Sequence, residues 1–419
     1  MDTGMRTGKN EGRSVRLLET CLYFLIFLAP AAFGSVHPWA TMSTSAFLFF
    51  LLFLYPESIS AVAGLPHLPR LGFVLVFFYF LFQCLVNPLN PGAVRYEFLK
   101  WVSLAAGFLL IQQLPRHAIY RLAFAFLIAG LLESLYGLYQ QGSHQEYVLW
   151  QTKEFHRGFV TGTYLNRNHF AGLLEMCLGI HLGILFWVYR EKNYALFFLL
   201  GALLVVSLAA LLKSGSRAGI LSFCMSLLVS SCLIPRRLRA GSRGFFSLVM
   251  LSAGAALVLG SGIFGVRFFD MSENLKTFGE RAAVWKDALR ILRAHPWAGS
   301  GLGSFEWIFP VFQSERLSWG WSHAHNDYLE LAIGLGIPAF LMLGFSFMGL
   351  LWQPLRQMDL LEPRSFAVIW GCLISILSLL LHSAVDFNLA IPANAMIFIF
   401  LFAMMTKLTP SPELKGERL

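Results

Sequence analysis

Ser322-His323-Ala324-His325-Asn326-Asp327-Tyr328 closes the one large interruption in a chain made of apolar stretches. That interruption opens at Arg267 and lasts about sixty residues. The apolar runs on either side read as membrane scaffold, which carries the polar interval to one face and closes behind it.

Composition sets the class. The 419 residues are 57% hydrophobic and 13% charged, with a mean hydropathy of +0.63. Soluble domains carry about 25% charged residues, because polar side chains must cover their surface. The reading is all-α, a polytopic membrane protein. Continuous rather than alternating apolar runs exclude a membrane β-barrel. The net charge of +9 sits mostly in short segments between apolar runs, a pattern of membrane orientation and not of nucleic-acid binding. Cys21, Cys84, Cys177, Cys224, Cys232 and Cys372 all lie in apolar runs without a Cys-x-x-Cys pair. They read as buried small hydrophobes.

About twelve transmembrane helices are expected, near 17–36, 42–62, 71–87, 97–114, 118–139, 169–189, 194–212, 217–234, 245–265, 327–352, 365–382 and 388–406. The first run is long enough to be a retained helix and not a cleaved signal peptide. With the N-terminus inside, the inner segments collect Arg6, Lys9, Arg13, Arg16, Arg70, Arg116, Arg121, Arg190, Lys192, Arg236, Arg237, Arg239, Arg243, Arg356, Arg364, Lys407, Lys415 and Arg418. The short outer loops hold only Arg95, Lys100, Lys213 and Arg217. Both termini are therefore expected in the cytoplasm and the large loop outside. The division is a tail over 1–16, one membrane domain over 17–406, an inserted external subdomain over 266–326 between helices 9 and 10, and a tail over 407–419. The two tails read as disordered.

Inside the loop, Thr277-Phe278-Gly279-Glu280 reads as a capping box with Thr277 at the N-cap. Arg281, Trp285, Ala288 and Leu292 then share a helical face, and Pro296 stops the helix. Gly299-Ser300-Gly301-Leu302-Gly303 reads as a flexible turn. Trp307, Phe309, Phe312, Trp319 and Trp321 suit either a bilayer interface or stacking on sugar rings.

Several residues can carry chemistry. Arg217 follows Lys213-Ser214-Gly215-Ser216 at a span mouth. It suits a snorkelling arginine, or an anion site where open helix N–H groups and a planar guanidinium meet. Arg281 puts a charge on an otherwise apolar face, which asks for a partner. His323, His325 and Asp327 are too weak a set for a metal site, so no metal or cofactor is expected. A histidine at the mouth of a membrane cavity suits proton transfer, with Asp327 or Glu330 to orient it. Asn168 would make a helix N-cap. Glu133, Glu175, His382 and Asp386 are costly near a membrane and default to paired or functional; His382 and Asp386, four apart, can pair with each other.

Taken together, these pieces form a set. They are Gly162-Thr163-Tyr164-Leu165-Asn166-Arg167-Asn168-His169-Phe170-Ala171-Gly172; Ser214-Gly215-Ser216-Arg217-Ala218-Gly219; Arg281 with Trp285; 299–305; His325-Asn326-Asp327-Tyr328-Leu329 with Gly334 and Gly336; and 382–386. In that order the chain resembles the O-antigen ligase and polymerase superfamily of bacterial envelope glycosyltransferases. The likeness runs from about 160 to 390, and the first five spans share only hydropathy. One departure is Ala339 after Pro338, where the family commonly has glycine; it bears on the choice of ligase or polymerase.

The resemblance implies a fold of twelve spans with a large late periplasmic loop in the bacterial inner membrane. It implies transfer of a glycan from an undecaprenyl diphosphate carrier to lipid A-core, inverting and without metal. His325, Arg217 and Arg281 would be catalytic. Arg217, Arg281, Asn166, Arg167, Asn168, Asn326, Asp327 and His323 would bind substrate, with Arg167 and Arg316 in reserve for the diphosphate. Polymerisation of carrier-linked repeats is the nearest rival. Transfer onto protein implies an extra C-terminal external domain, whereas this sequence stops about a dozen residues after the last span. A transporter or flippase would show charges mid-membrane in several spans and two related halves. Membrane lipid is the expected surrounding, and nucleic acid is not a partner.

Overall fold

The computed structural model describes residues 2–86, 90–239, 242–269, 271–314, 317 and 320–410, and side chains outside 2–12 and 261–275. Arg316, Trp319, Lys415 and Arg418, and the side chains of Arg6, Lys9 and Arg267, lie outside the described residues.

The chain is almost wholly helical: α1 (Asp2–Ala31), α2 (Pro38–Leu54), α3 (His67–Val86), α4 (Pro91–Gln113), α5 (Arg116–Gly142), α6 (Arg167–Arg190), α7 (Tyr194–Lys213) and α8 (Arg217–Cys232). Then come α9 (Arg236–Arg239), α10 (Arg243–Phe269), α11 (Met271–Ala294), α12 (Phe305–Phe312), α13 (Asp327–Leu335), α14 (Ile337–Gln357), α15 (Pro363–His382) and α16 (Pro392–Leu408). Between α5 and α6, β1 (Tyr147–Val148) and β2 (Gln151–Thr152) form a small antiparallel hairpin that the sequence reading lacks. The 1–16 segment, read as a disordered tail, is helical from Asp2.

A helix occupies each of the twelve expected stretches, but they are not alike. By length and apolar composition, eight helices among the described residues can cross a bilayer, or nine if the pair Pro38–Leu54 and Pro56–Gly64, bent by 88°, counts as one span. Arg217–Cys232 and Pro392–Leu408 are shorter apolar helices. The expected single span at 327–352 is instead two helices, α13 and α14, because Gly336 at φ +78° breaks the chain between them. A Cβ there would lie 2.3 Å from the Trp297 carbonyl oxygen, so the site also needs glycine for space.

The core axis is α6, α15 and α16, whose side chains are buried almost throughout. Small residues let α6 and α15 touch backbone to backbone: a Cβ on Gly179 would be 2.7 Å from the Ser375 amide nitrogen. Ser375 Oγ donates to the Met176 carbonyl at 2.5 Å, and Trp370 Nε1 donates to the Ser230 carbonyl on α8 at 3.0 Å. Glu133 on α5 accepts from the Thr163 amide at 2.9 Å and its hydroxyl at 2.7 Å, so this intramembrane carboxyl is paired. Of the cysteines, Cys84, Cys177 and Cys372 are buried as expected, but Cys224 and Cys232 are exposed on α8.

The polar interval packs around a small core of its own. Val284, Ala288 and Ile291 of α11 meet Phe305, Ile308 and Phe309 of α12 and Ile333 of α13. Each of the Val, Ile and Phe side chains among them stabilises by about 1.5–3 kcal/mol when fully buried. The buried face is thus one residue off the expected one. Trp285 instead sits half-buried, its indole N–H on the Ala324 carbonyl at 2.9 Å. Thr277 lies inside α11 and not at its start, because the helix already begins at Met271. The expected flexible turn at Gly299 is pinned: Ser300 N donates to Ile333 O at 2.8 Å and Gly301 N to Gly334 O at 3.0 Å.

Candidate active site

Asp386 gathers the site. It lies in the short connection between α15 and α16 and is fully buried. Asn168 Nδ2 donates to its Oδ2 at 2.7 Å and the Phe387 amide to its Oδ1 at 2.9 Å. Arg281 Nη2 is 3.3 Å from Oδ2, and Arg281 Nη1 donates to the Val385 carbonyl beside it. His325 Nδ1 is 3.4 Å from Oδ1, a contact longer than a good hydrogen bond. His169 Nε2 stands at 3.8 Å. Burial alone would raise this carboxyl. The His325 contact and the Arg281 charge outweigh it and hold Asp386 well below the usual carboxylate range.

Local sequence explains how these groups arrive. Asn166, not Asn168, caps α6, accepting from the Asn168 amide at 2.8 Å; this frees the Asn168 side chain for Asp386. Asn326 caps α13 through the Leu329 amide at 3.0 Å. His325 just before it takes φ +50°, a region only a few per cent of non-glycine residues adopt. Its ring meets Trp321 at 5.4 Å and Phe387 at 4.8 Å, both edge to face.

His323 belongs to a different carboxylate. Its Nδ1 is 2.9 Å from Glu330 Oε1, while the Ala324 amide donates to Glu330 Oε2 at 3.0 Å. Burial pulls His323 down, but the Glu330 charge and bond raise it overall. Burial pushes Glu330 up, but His323 lowers it overall. The His323 ring lies flat on Phe387, centroids 4.1 Å apart. Asp327 is held by the Leu389 amide at 2.9 Å, yet burial still pushes it up to about 7.

Arg217 is the first residue of α8, after Ser216, whose Oγ accepts from the Gly219 amide at 3.4 Å. A Cβ on Gly219 would lie 2.9 Å from Ala171 and 3.2 Å from Glu175 on α6. So Arg217 starts its helix against the α6 segment that also presents Asn168. Arg167 lies with its guanidinium 4.2 Å from the Phe159 ring centroid. The expected His382–Asp386 pair does not form. His382 Nδ1 contacts Glu175 Oε1 at 2.5 Å, and Ser378 donates to the same carboxylate. Asp386 points instead to Arg281, Asn168 and His325.

The structure therefore brings Arg281, His325, Asn168 and His169 together, with Asn326 and Asp327 immediately behind. Asp386 as the meeting point went unread, although an acidic residue beside a span was a signal for it. Glu97 and Lys100 went unread too. Lys100, taken as a loop charge, lies in α4 and is buried, 2.7 Å from Glu97 Oε2. Among the described residues no three His, Cys, Asp or Glu side chains are placed so that they could hold a metal ion.

No curated protein matches this chain. A family model does: residues 202–344 match the one described as O-Antigen ligase. The stretch spans α8, Arg217, Arg281 and both histidines, about a third of the chain, and supports O-antigen ligase or polymerase type transfer by a multi-pass membrane protein. Over this stretch the chain is similar to the O-antigen ligase superfamily.

Proposed function

We propose that this protein moves a glycan from an undecaprenyl diphosphate carrier to lipid A-core on the periplasmic face of the inner membrane, crossing it twelve times with both termini cytoplasmic. The observation that supports this best is the meeting of Arg281 and His325 at the buried Asp386.

The chemistry follows from those groups. Asp386 on Nδ1 fixes the His325 ring and leaves Nε2 to take a proton. The acceptor hydroxyl gives its proton to His325 as its oxygen bonds to the anomeric carbon. The carbon–oxygen bond to the carrier breaks, and its electron pair leaves on the diphosphate. Arg281 and Arg217 neutralise that growing charge, a task guanidinium groups perform without a metal. Attack opposite the leaving group inverts the anomeric centre.

The test is product analysis. Purified protein in lipid nanodiscs is given a defined carrier-linked glycan, with and without lipid A-core. Glycan on lipid A-core is the expected product. Longer carrier-linked chains that form without lipid A-core would make it a polymerase, and no glycan transfer under either condition would sink the reading.

A further inference from the structure

A cavity of about 250 Å3 opens beside the site, between α4 and the segment from α12 to α13. We propose that it binds one uncharged pyranose ring of the acceptor glycan. The word acceptor rests on the transfer reading above; the sugar preference rests on the cavity alone.

Its charges cancel in place. On one wall Lys100 Nζ is 2.7 Å from Glu97 Oε2, and its side chain is 3% exposed. The Glu97 carboxylate also accepts from Trp101 Nε1 at 3.1 Å. On the other wall His323 meets Glu330 at 2.9 Å. Each cation already has its carboxylate, and each carboxylate keeps free lone pairs for hydroxyl donors. A diphosphate entering here would find both cations already taken by their carboxylates, so an anion gains little. Neutral, hydroxyl-rich ligands need no free cation.

Shape and aromatic faces agree. Drug-sized ligands need about 300–1,000 Å3, so this space suits a single ring. Trp307 stands at the rim with 61% of its surface exposed, available to lie along a ring face. Phe387 links the cavity to the cluster through its ring contacts. His323, which lines the cavity, stacks on it, while His325 and His169 of the Asp386 cluster meet it edge to face at 4.8 and 4.5 Å. A ring held here would present its hydroxyls next to the cluster where Arg281 stands. α4 contributes one wall although it lies outside the family match.

The experiment is saturation-transfer difference NMR on full-length protein in nanodiscs, with methyl β-D-glucopyranoside and methyl β-D-galactopyranoside. At least one should receive saturation, at least fivefold weaker in Trp307→Ala and in Glu97→Gln. Inorganic pyrophosphate should not displace the sugar, and Arg281→Lys should leave its signal within about twofold. Trp307→Ala removes an exposed side chain, so it tests the site even if Glu97→Gln disturbs folding. No saturation in the unmodified protein, equal saturation in Trp307→Ala, or displacement by pyrophosphate overturns the proposal. These outcomes do not depend on turnover, so a failure here is separable from a failure of the transfer assay.

Discussion

Two histidines, two residues apart, stand in two unlike environments on either side of Phe387. His325 faces Asp386, a carboxylate with no exposed surface that also serves Arg281 and Asn168. His323 faces Glu330, whose side chain is 18% exposed, at the edge of an open cavity. The left-handed turn at His325 aims neighbouring rings at different acids. One side gathers Arg281, Asn168 and His325 around a deeply ionised carboxylate. The other pairs each charge with its opposite. The difference teaches that His-x-His here serves two separate carboxylates; on the proposed reading one histidine takes the acceptor proton and the other lines the sugar cavity.

The sharpest way to break this comparison is to exchange the histidines' fates. His325→Ala should lower glycan transfer by about 10²–10⁴-fold, the usual worth of a general base, with donor binding retained. His323→Ala should act mainly through the acceptor and cost about tenfold or less in transfer rate, the scale of one lost hydrogen bond of about 1–1.5 kcal/mol. Rates measured at saturating donor decide it: a dead His323→Ala beside an active His325→Ala reverses the assignment.

Charge geometry gives the next effect. Arg281→Lys and Arg217→Lys keep the charge but lose the planar fork. Each should reduce transfer by about 10²-fold, the lower end for removing one electrostatic contact to a developing anion. Steady-state rates with carrier-linked donor test this, alongside size-exclusion profiles to show folded protein. Near-normal rates in both variants would move the diphosphate away from the Asp386 side.

The smallest effect is in pH. His323 is raised and Glu330 lowered, so their pair stabilises fully between the ordinary values of 4.5 and 6.5. That contribution is lost as pH rises through the raised His323 value, and again as pH falls through the lowered Glu330 value. The gap in melting temperature between the unmodified protein and Glu330→Gln should therefore be widest near pH 6 and narrow above neutrality, by a few degrees at most. A gap that stays constant across this range would mean the pair is not ionised.

Much of this was legible in the sequence. Apolar runs marked where helices lie, because burial and lipid both demand continuous apolar faces. Asn326, Gly334 and Gly336 were read only as pieces of a family motif, so the break at Gly336 inside 327–352 went unread. What was hidden was tertiary. Nothing in the spacing joins Asp386 to Arg281, 105 residues earlier. The nearer His382 looked the better partner until Glu175 claimed it across the α6–α15 contact. Thr277 gave a proper local cap signal, overruled because α11 runs on from Met271. Lys100 was counted as a topology charge because hydropathy carries no record of an ion pair at a cavity wall.

The pinned segment at 299–301 has a mechanical consequence. Its amides grip Ile333 and Gly334, and the Ile337 amide grips the Pro296 carbonyl at 2.8 Å. The segment from α11 to α13 is thus stitched to the head of α14, a long helix largely open to its surroundings. Such a helix responds to bilayer thickness by tilting. The stitch would hand that tilt directly to the cavity wall, making lipid chain length a tuning parameter for ligand fit.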